Sequence, residues 1–246
     1  MKDWLAYEVL KNNSHVQDHV AVEIPVQLIL NKEKLTVSMC SPSKVEQWAL
    51  GLLFAEGYLQ SREDVTGIEV TSKQFTLEVS VETKTIHNRV NSMSLLSVTA
   101  CGICGKTSFD AISGKVLSSY NESFNSSQLI EKLTLEQPVF NQTGAVHAAG
   151  IFNQELNMLT SAEDVGRHNA VDKCIGDLFQ LNQLSQGRIL VVTSRVSYEI
   201  VAKAFKANLA VIVAVSAPTS LAIDFCKELG IQLFGFVREK KVVRYA

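Results

Sequence analysis

Two cysteines stand three positions apart in Ala100-Cys101-Gly102-Ile103-Cys104-Gly105-Lys106. Thiols at this spacing can share a proton, close a disulfide or supply half of a metal site. Gly102 and Gly105 permit tight or left-handed backbone, and Lys106 favours a thiolate. The small polar neighbours Ser94, Ser97, Thr99, Thr107 and Ser108 predict an exposed loop. Four readings stay open on spacing alone. Structural zinc needs two further ligands, and no second CxxC exists. A thioredoxin-type dithiol usually carries Pro between its cysteines, where this chain has Gly102-Ile103. The pair could be loop cysteines without chemistry. Or it could be a thiol carrier, which accepts sulfur as a persulfide and passes it on; that needs a nucleophilic thiolate on an accessible loop. Cys40, Cys174 and Cys226 are isolated in apolar or helical patterns and read as small buried hydrophobes.

Three further clusters suit an anion. In Ala162-Glu163-Asp164-Val165-Gly166-Arg167-His168-Asn169-Ala170-Val171-Asp172-Lys173, a strand gives way to a helix. Free N–H groups at the helix start can hold an anion, and Arg167 and His168 can add charge-assisted donors. The plainer alternative is a solvated helix start with a helix-internal ion pair. Thr193-Ser194-Arg195-Val196-Ser197 follows a buried strand in the same way. Ser216-Ala217-Pro218-Thr219-Ser220 repeats the design one unit later, with Pro near the first helical turn. Each could be plain N-capping; three such turns on one sheet together suggest a large phosphate-bearing ligand. His147, in Gly144-Ala-Val-His-Ala-Ala-Gly150, reads as a satisfied core histidine.

The elements that position these clusters follow from periodicity. Val26 to Val37 reads as two short strands about the turn 31–34, and Ser43-Lys44-Val45-Glu46 as a capping box. Behind it Val45, Trp48, Ala49, Leu52 and Leu53 form one helical face that Gly57 ends. Ile68 to Val81 alternates as one or two strands. Residues 1–122 thus read as a small α+β domain carrying the CxxC loop at its end. Residues 123–246 read as helix 127–135, strands 144–152 and 156–160, helix 167–179, strand 188–193, helix 197–208, strand 211–215, helix 220–229 and strand 231–237. Such alternation predicts a mixed, largely parallel sheet with helices on both faces. Ligands of such sheets bind at the carboxyl ends of the strands.

With 246 residues and a net charge of −2, the chain has room for a real core and no general affinity for nucleic acid. Its longest apolar run, Leu209 to Val215, is too short to span a membrane. The N-terminus lacks the pattern of a secretory signal, so the cytoplasm is the expected location.

CGICGK, GAVHAAG, EDVGRHNAVDK, SRVSYEIVAKA, SAPTSLA and GFVR, in that order, resemble the formate dehydrogenase accessory sulfurtransferase family (FdhD/NarQ). So does LNKEKLTVSMCSP…LGLLFAEGYL nearer the start. The resemblance implies a cytidine-deaminase-like three-layer α/β/α domain behind the small domain. It implies a cytoplasmic homodimer that takes persulfide sulfur from a cysteine desulfurase. The sulfur goes to the molybdenum cofactor, as bis-molybdopterin guanine dinucleotide, before insertion into formate dehydrogenase. By the same resemblance Cys101 carries the persulfide and Cys104 assists. The cofactor-contacting stretch falls on Phe236, Val237, Arg238, Glu239, Lys240 and Lys241; the last three depart from the commoner Gly- or Asp-containing version. Arg167, His168, Ser194 and Arg195 are the further candidates for phosphates or guanine. Zinc deamination is not expected. By element order the deaminase Glu falls on Ala170, and its two cysteines on Ser194 and Ser197, so neither a metal-held water nor its proton shuttle can be built. The alternative activity is that of a cofactor-binding chaperone that moves no sulfur.

Overall fold

A computed structural model describes residues 1–87, 113–117, 120, 124–238 and 241–246. Cys101, Cys104, Glu239 and Lys240 lie outside the described residues. The chain opens with a hairpin, β1 (Trp4–Lys11) and β2 (Ser14–Ala21). It turns on Asn12 and Asn13, with φ of 49° and 64°, as a two-residue turn of the primed type requires. Most residues of both strands are exposed, so burial leaves no alternating pattern in their sequence, and the hairpin is an addition to the expected elements.

β3 (Ile24–Leu30) and β4 (Glu33–Cys40) form the expected second hairpin, turning on Asn31 and Lys32. α1 (Val45–Ala55) follows, then β5 (Val65–Lys73) and β6 (Thr76–Thr83). These strands make one sheet in the order β4-β3-β6-β5, with β3 and β6 parallel. The capping box expected at Ser43 does not form. Lys44 is the cap residue of α1, in left-handed conformation (φ 53°), and no side chain caps the helix. The Ser43 amide instead donates to Asp3 Oδ1 at 3.0 Å, while Lys44 Nζ reaches Asp177 Oδ2 at 2.5 Å. Tertiary partners outweigh the local motif here.

The second half runs α2 (Ser126–Leu135), α3 (Pro138–Thr143), β7 (His147–Phe152), β8 (Met158–Asp164), α4 (Arg167–Gln180) and β9 (Ile189–Val192). It continues with α5 (Tyr198–Lys206), β10 (Val211–Ala214), α6 (Ser220–Leu229), β11 (Gln232–Arg238) and β12 (Lys241–Arg244). The strand expected from residue 144 starts at His147, because Pro138 and Gly144 bracket a short helix, the preferred residues at its two ends. The strand expected to stop at Thr160 continues to Asp164, which makes Glu163 and Asp164 strand residues.

The six strands lie in the order β12-β11-β10-β9-β7-β8, with β9, β10 and β11 parallel and β7 antiparallel to β9. α2 packs on one face, over Phe152, Ile189, Val191, Val211 and Val213. The opposite face, including Ala149, Ile151, Leu190, Val192, Ile212 and Leu233, belongs to the core it shares with α4, α5 and α6. The mixed sheet between helical layers is the expected deaminase-like arrangement. The larger core continues through α1 into the β3–β6 sheet.

That continuity depends on one helix crossing. A Cβ on Gly51 of α1 would lie 1.9 Å from the Asp172 carbonyl oxygen, and one on Gly176 of α4 would lie 1.8 Å from that of Gln47. Only glycine lets the two backbones approach so closely. No helix among the described residues is long and apolar enough to cross a membrane.

Candidate functional site

The carboxyl ends of β9, β10 and β11 lie side by side, and their turns are tied together. Val196 N donates to Ala217 O at 3.2 Å, Thr219 N to Val196 O at 2.9 Å, and Phe236 N to Ser216 O at 3.3 Å. β7 runs the other way, so His147, its first residue, joins the same edge. β8 ends there with Asp164, which pairs with His147 across the strands. The start of α4 follows directly.

This edge gathers positive charge. Arg167 and Arg195 make no ion pair among the described residues, and Arg167 Nε is buried without a hydrogen-bond partner. A buried donor left unpaired costs roughly 1–3 kcal/mol, so an acceptor at this point is worth that much. No side chain caps α4, whose N-cap is Gly166. A Cβ there would meet the Asn169 side chain at 2.6 Å. His147 is half-buried, and burial, reinforced by Arg167 and Arg195 and opposed by Asp164, pushes its imidazole below the ordinary histidine value.

The remaining candidates separate by environment. His168 is buried, with Nε2 3.2 Å from Ser197 Oγ and 3.8 Å from Glu199 Oε2. Ser197 therefore serves His168 and does not cap α5, whereas Thr219 is a plain cap of α6, accepting from Ala222 N at 3.3 Å. Ser194 is buried, and its hydroxyl donates to the Arg195 carbonyl at 3.0 Å. Val237 is fully buried, and its part is packing. Its neighbours Phe236 and Arg238 are exposed, as is Lys241. Phe236 has φ 52°, which a bulky residue rarely adopts outside functional or over-determined sites. The β11–β12 register shifts between Gly235 and Arg238, and this bulge turns the Phe236 ring to solvent, with Lys241 Nζ 5.8 Å from its centroid. Gly235 is required because a Cβ would crowd Tyr245, Pro218 and Ser216 within 3.0–3.2 Å.

The charged residues of 162–173 do not form the solvated helix start that was the plainer expectation. Asp164 and Lys173 are wholly buried and paired at 2.6 Å. Asp164 also accepts from the Ser41 and Gly166 amides (3.0 and 2.7 Å) and from Asn169 Nδ2 (3.0 Å). Lys173 donates to Ser41 O at 3.0 Å, and Asn169 accepts from Trp48 Nε1 at 3.2 Å. Sequence periodicity misses this seam because its links to Ser41 and Trp48 join residues more than 100 positions apart.

The described residues that follow the cysteine pair sit at the other end of the sheet. Val116 N donates to Leu229 O at 3.0 Å, Leu117 N to Asn208 Oδ1 at 2.7 Å, and Gln232 Nε2 to Tyr120 O at 2.5 Å. Cys40, Cys174 and Cys226 are buried and unpaired, and burial raises all three thiols, the latter two to about 12.

A profile of the FdhD/NarQ family matches residues 21–246, from the end of β2 onward. The chain belongs to the FdhD/NarQ family. Two relatives named sulfur carrier protein FdhD extend the match. That of Sulfolobus acidocaldarius is 40% identical over 226 residues, covering 90% of this chain and 87% of its own. That of Xanthomonas axonopodis pv. citri is 35% identical over 240 residues, covering 94% and 85%. The crystal structure of a proposed formate dehydrogenase accessory protein from Desulfotalea psychrophila superposes with a TM-score of 0.73. It covers 98% of this FdhD/NarQ chain and 95% of its own at 24% identity, a likeness of fold.

Proposed function

We propose that this chain is a sulfur carrier of formate dehydrogenase maturation, with Cys101 as the carrier thiol. The observation that carries this reading is the state of the other cysteines. Cys40, Cys174 and Cys226 are buried with raised thiols, and the thiolate is the nucleophile. Within a family whose relatives are named sulfur carriers, that leaves Cys101 and Cys104 for sulfur chemistry.

In the first step the Cys101 thiolate attacks the outer sulfur of a cysteine desulfurase persulfide. The donor S–S bond breaks, the donor leaves as thiolate, and Cys101 carries the persulfide. In the second, the Cys104 thiolate attacks Cys101 Sγ, a Cys101–Cys104 disulfide forms, and sulfide leaves for the molybdenum of the bound substrate. Two electrons pass from the thiols to the departing sulfur, and a cellular dithiol restores the pair. The substrate is bis-molybdopterin guanine dinucleotide, and the carboxyl edge suits its phosphates. The unpartnered Arg167 Nε and the Arg195 guanidinium would hold phosphate oxygens, and the exposed Phe236 ring beside Lys241 and Arg238 would stack the base.

The working form is a homodimer in the cytoplasm, meeting a cysteine desulfurase and formate dehydrogenase.

Incubation with a cysteine desulfurase and cysteine, followed by peptide mass spectrometry, tests the carrier step. One extra sulfur on the Cys101 peptide is expected, removed by reductant and absent from Cys101→Ala. No increment, with the guanine dinucleotide still bound, would replace the carrier by a cofactor-binding chaperone.

A further inference from the structure

His147 reads from sequence as a satisfied core histidine, and the fold places it elsewhere. It opens β7 at the carboxyl edge, half-buried, and its ring makes no hydrogen bond among the described residues. Three charged groups act on it: Asp164 from β8, Arg167 from the start of α4, and Arg195 from the turn after β9. Asp164 is the cross-strand neighbour and the obvious counter-ion. Yet both of its oxygens are committed, Oδ1 to Gly166 N and Asn169 Nδ2, Oδ2 to Ser41 N and Lys173 Nζ. The imidazole therefore stands at an edge that carries two arginines, with no carboxylate free to pair with it.

We propose that His147 is an anion-binding residue of this carboxyl edge and takes up a proton together with a phosphate-bearing ligand. The inference rests on the reading of the carboxyl edge as the ligand site. Burial first, and then Arg167 and Arg195, disfavour an imidazolium in the ligand-free protein, in keeping with the lowered titration of His147. A pyrophosphate between the arginines cancels that repulsion and offers an acceptor, so protonation becomes favourable. By reciprocity the protonated ring tightens the anion. The sign follows: affinity is greatest below the ligand-free titration point and is lost as pH rises through the higher, ligand-bound one. Between the two, each pH unit weakens binding by up to about tenfold, the limit for one linked proton.

The test uses the full-length protein and GDP-mannose, whose doubly esterified pyrophosphate does not itself titrate near neutrality. Calorimetry from about pH 5.5 to about 8.5, in buffers of different ionisation enthalpy, reads Kd and proton uptake together. Uptake approaching one proton is expected in the wild type, with Kd weakening by about tenfold across the range. His147→Gln is expected to bind with a flat profile and no uptake. NMR titration of the His147 ring with and without GDP-mannose gives the same answer without a variant, as an upward shift on binding. Retention of the pH profile and proton uptake in His147→Gln, or no upward shift in the ring titration, overturns the role of His147 and leaves the site standing. No binding at all, or binding indifferent to both Arg167→Gln and Arg195→Gln, overturns the site and the inference with it.

Discussion

α4 joins two regions of opposite character. Along its body the charges are buried and paired, Lys173 with Asp164 at 2.6 Å and Asp172 with Lys203 at 2.5 Å. At its N-terminus Arg167 is part-buried, and it and the neighbouring Arg195 have no ion pair among the described residues. Arg167 and the paired Asp172 and Lys173 lie within two turns of this one helix. The Asp164–Lys173 pair ties Ser41, between β4 and α1, to β8 and α4, and Asp172–Lys203 ties α4 to α5; the unpaired arginines lie at the carboxyl edge. A buried donor without a protein partner, as at Arg167 Nε, marks where a ligand completes the structure.

This contrast can be broken by substitution. The largest effect on stability is expected from Gly176→Ala, which drives a methyl into the Gln47 carbonyl oxygen. Separating two helix backbones should cost more than about 3 kcal/mol, beyond ordinary overpacking. A thermal melt like that of wild type would show that the crossing yields easily. Lys173→Met comes next, since it strands Asp164 as an uncompensated buried charge, at roughly 3–5 kcal/mol. Urea denaturation measures it, and a loss below about 1 kcal/mol would mean that water enters the seam.

A subtler effect concerns pH. Burial holds the Asp172 carboxyl up at about 6 against the pull of Lys203. The folded chain keeps that proton longer than the unfolded chain does, so this group lowers stability as pH climbs from about 4 to about 6 and contributes no further slope above. Asp172→Asn should remove that part of the slope in urea melts across this range; an unchanged slope would assign it to other groups. The smallest stability effect is expected at Arg195, which is exposed: Arg195→Gln should stay within about 0.5 kcal/mol of wild type. Its affinity for GDP-mannose should nevertheless fall about tenfold or more, as expected for one charge-assisted contact to phosphate. The reverse pattern, stability lost and affinity kept, would make Arg195 part of the frame.

The strands and helices of the second half were largely legible, because buried strands and one-faced helices leave their periods in the sequence. The first hairpin was not, since Trp4–Lys11 and Ser14–Ala21 have little buried face to record. α3 left a fainter mark, Pro138 at its start and Gly144 after its end. At the site, Arg167, His168 and Arg195 stood out by type and position, whereas His147 was masked by its apolar neighbours. Ser194 carried the right chemistry for an anion seat, yet its hydroxyl turns back onto the backbone.

The sequence by itself determined most elements of the second half and the family, because these rest on local periodicity and on ordered motifs. Only the tertiary structure decided which charges are spent. Lys173 meets Ser41 across 132 positions and Trp48 meets Asn169 across 121, while His147 reaches the edge only because β7 runs against β9. Pairing between distant residues depends on topology and the few ångströms within which a hydrogen bond forms, and no local pattern carries that information.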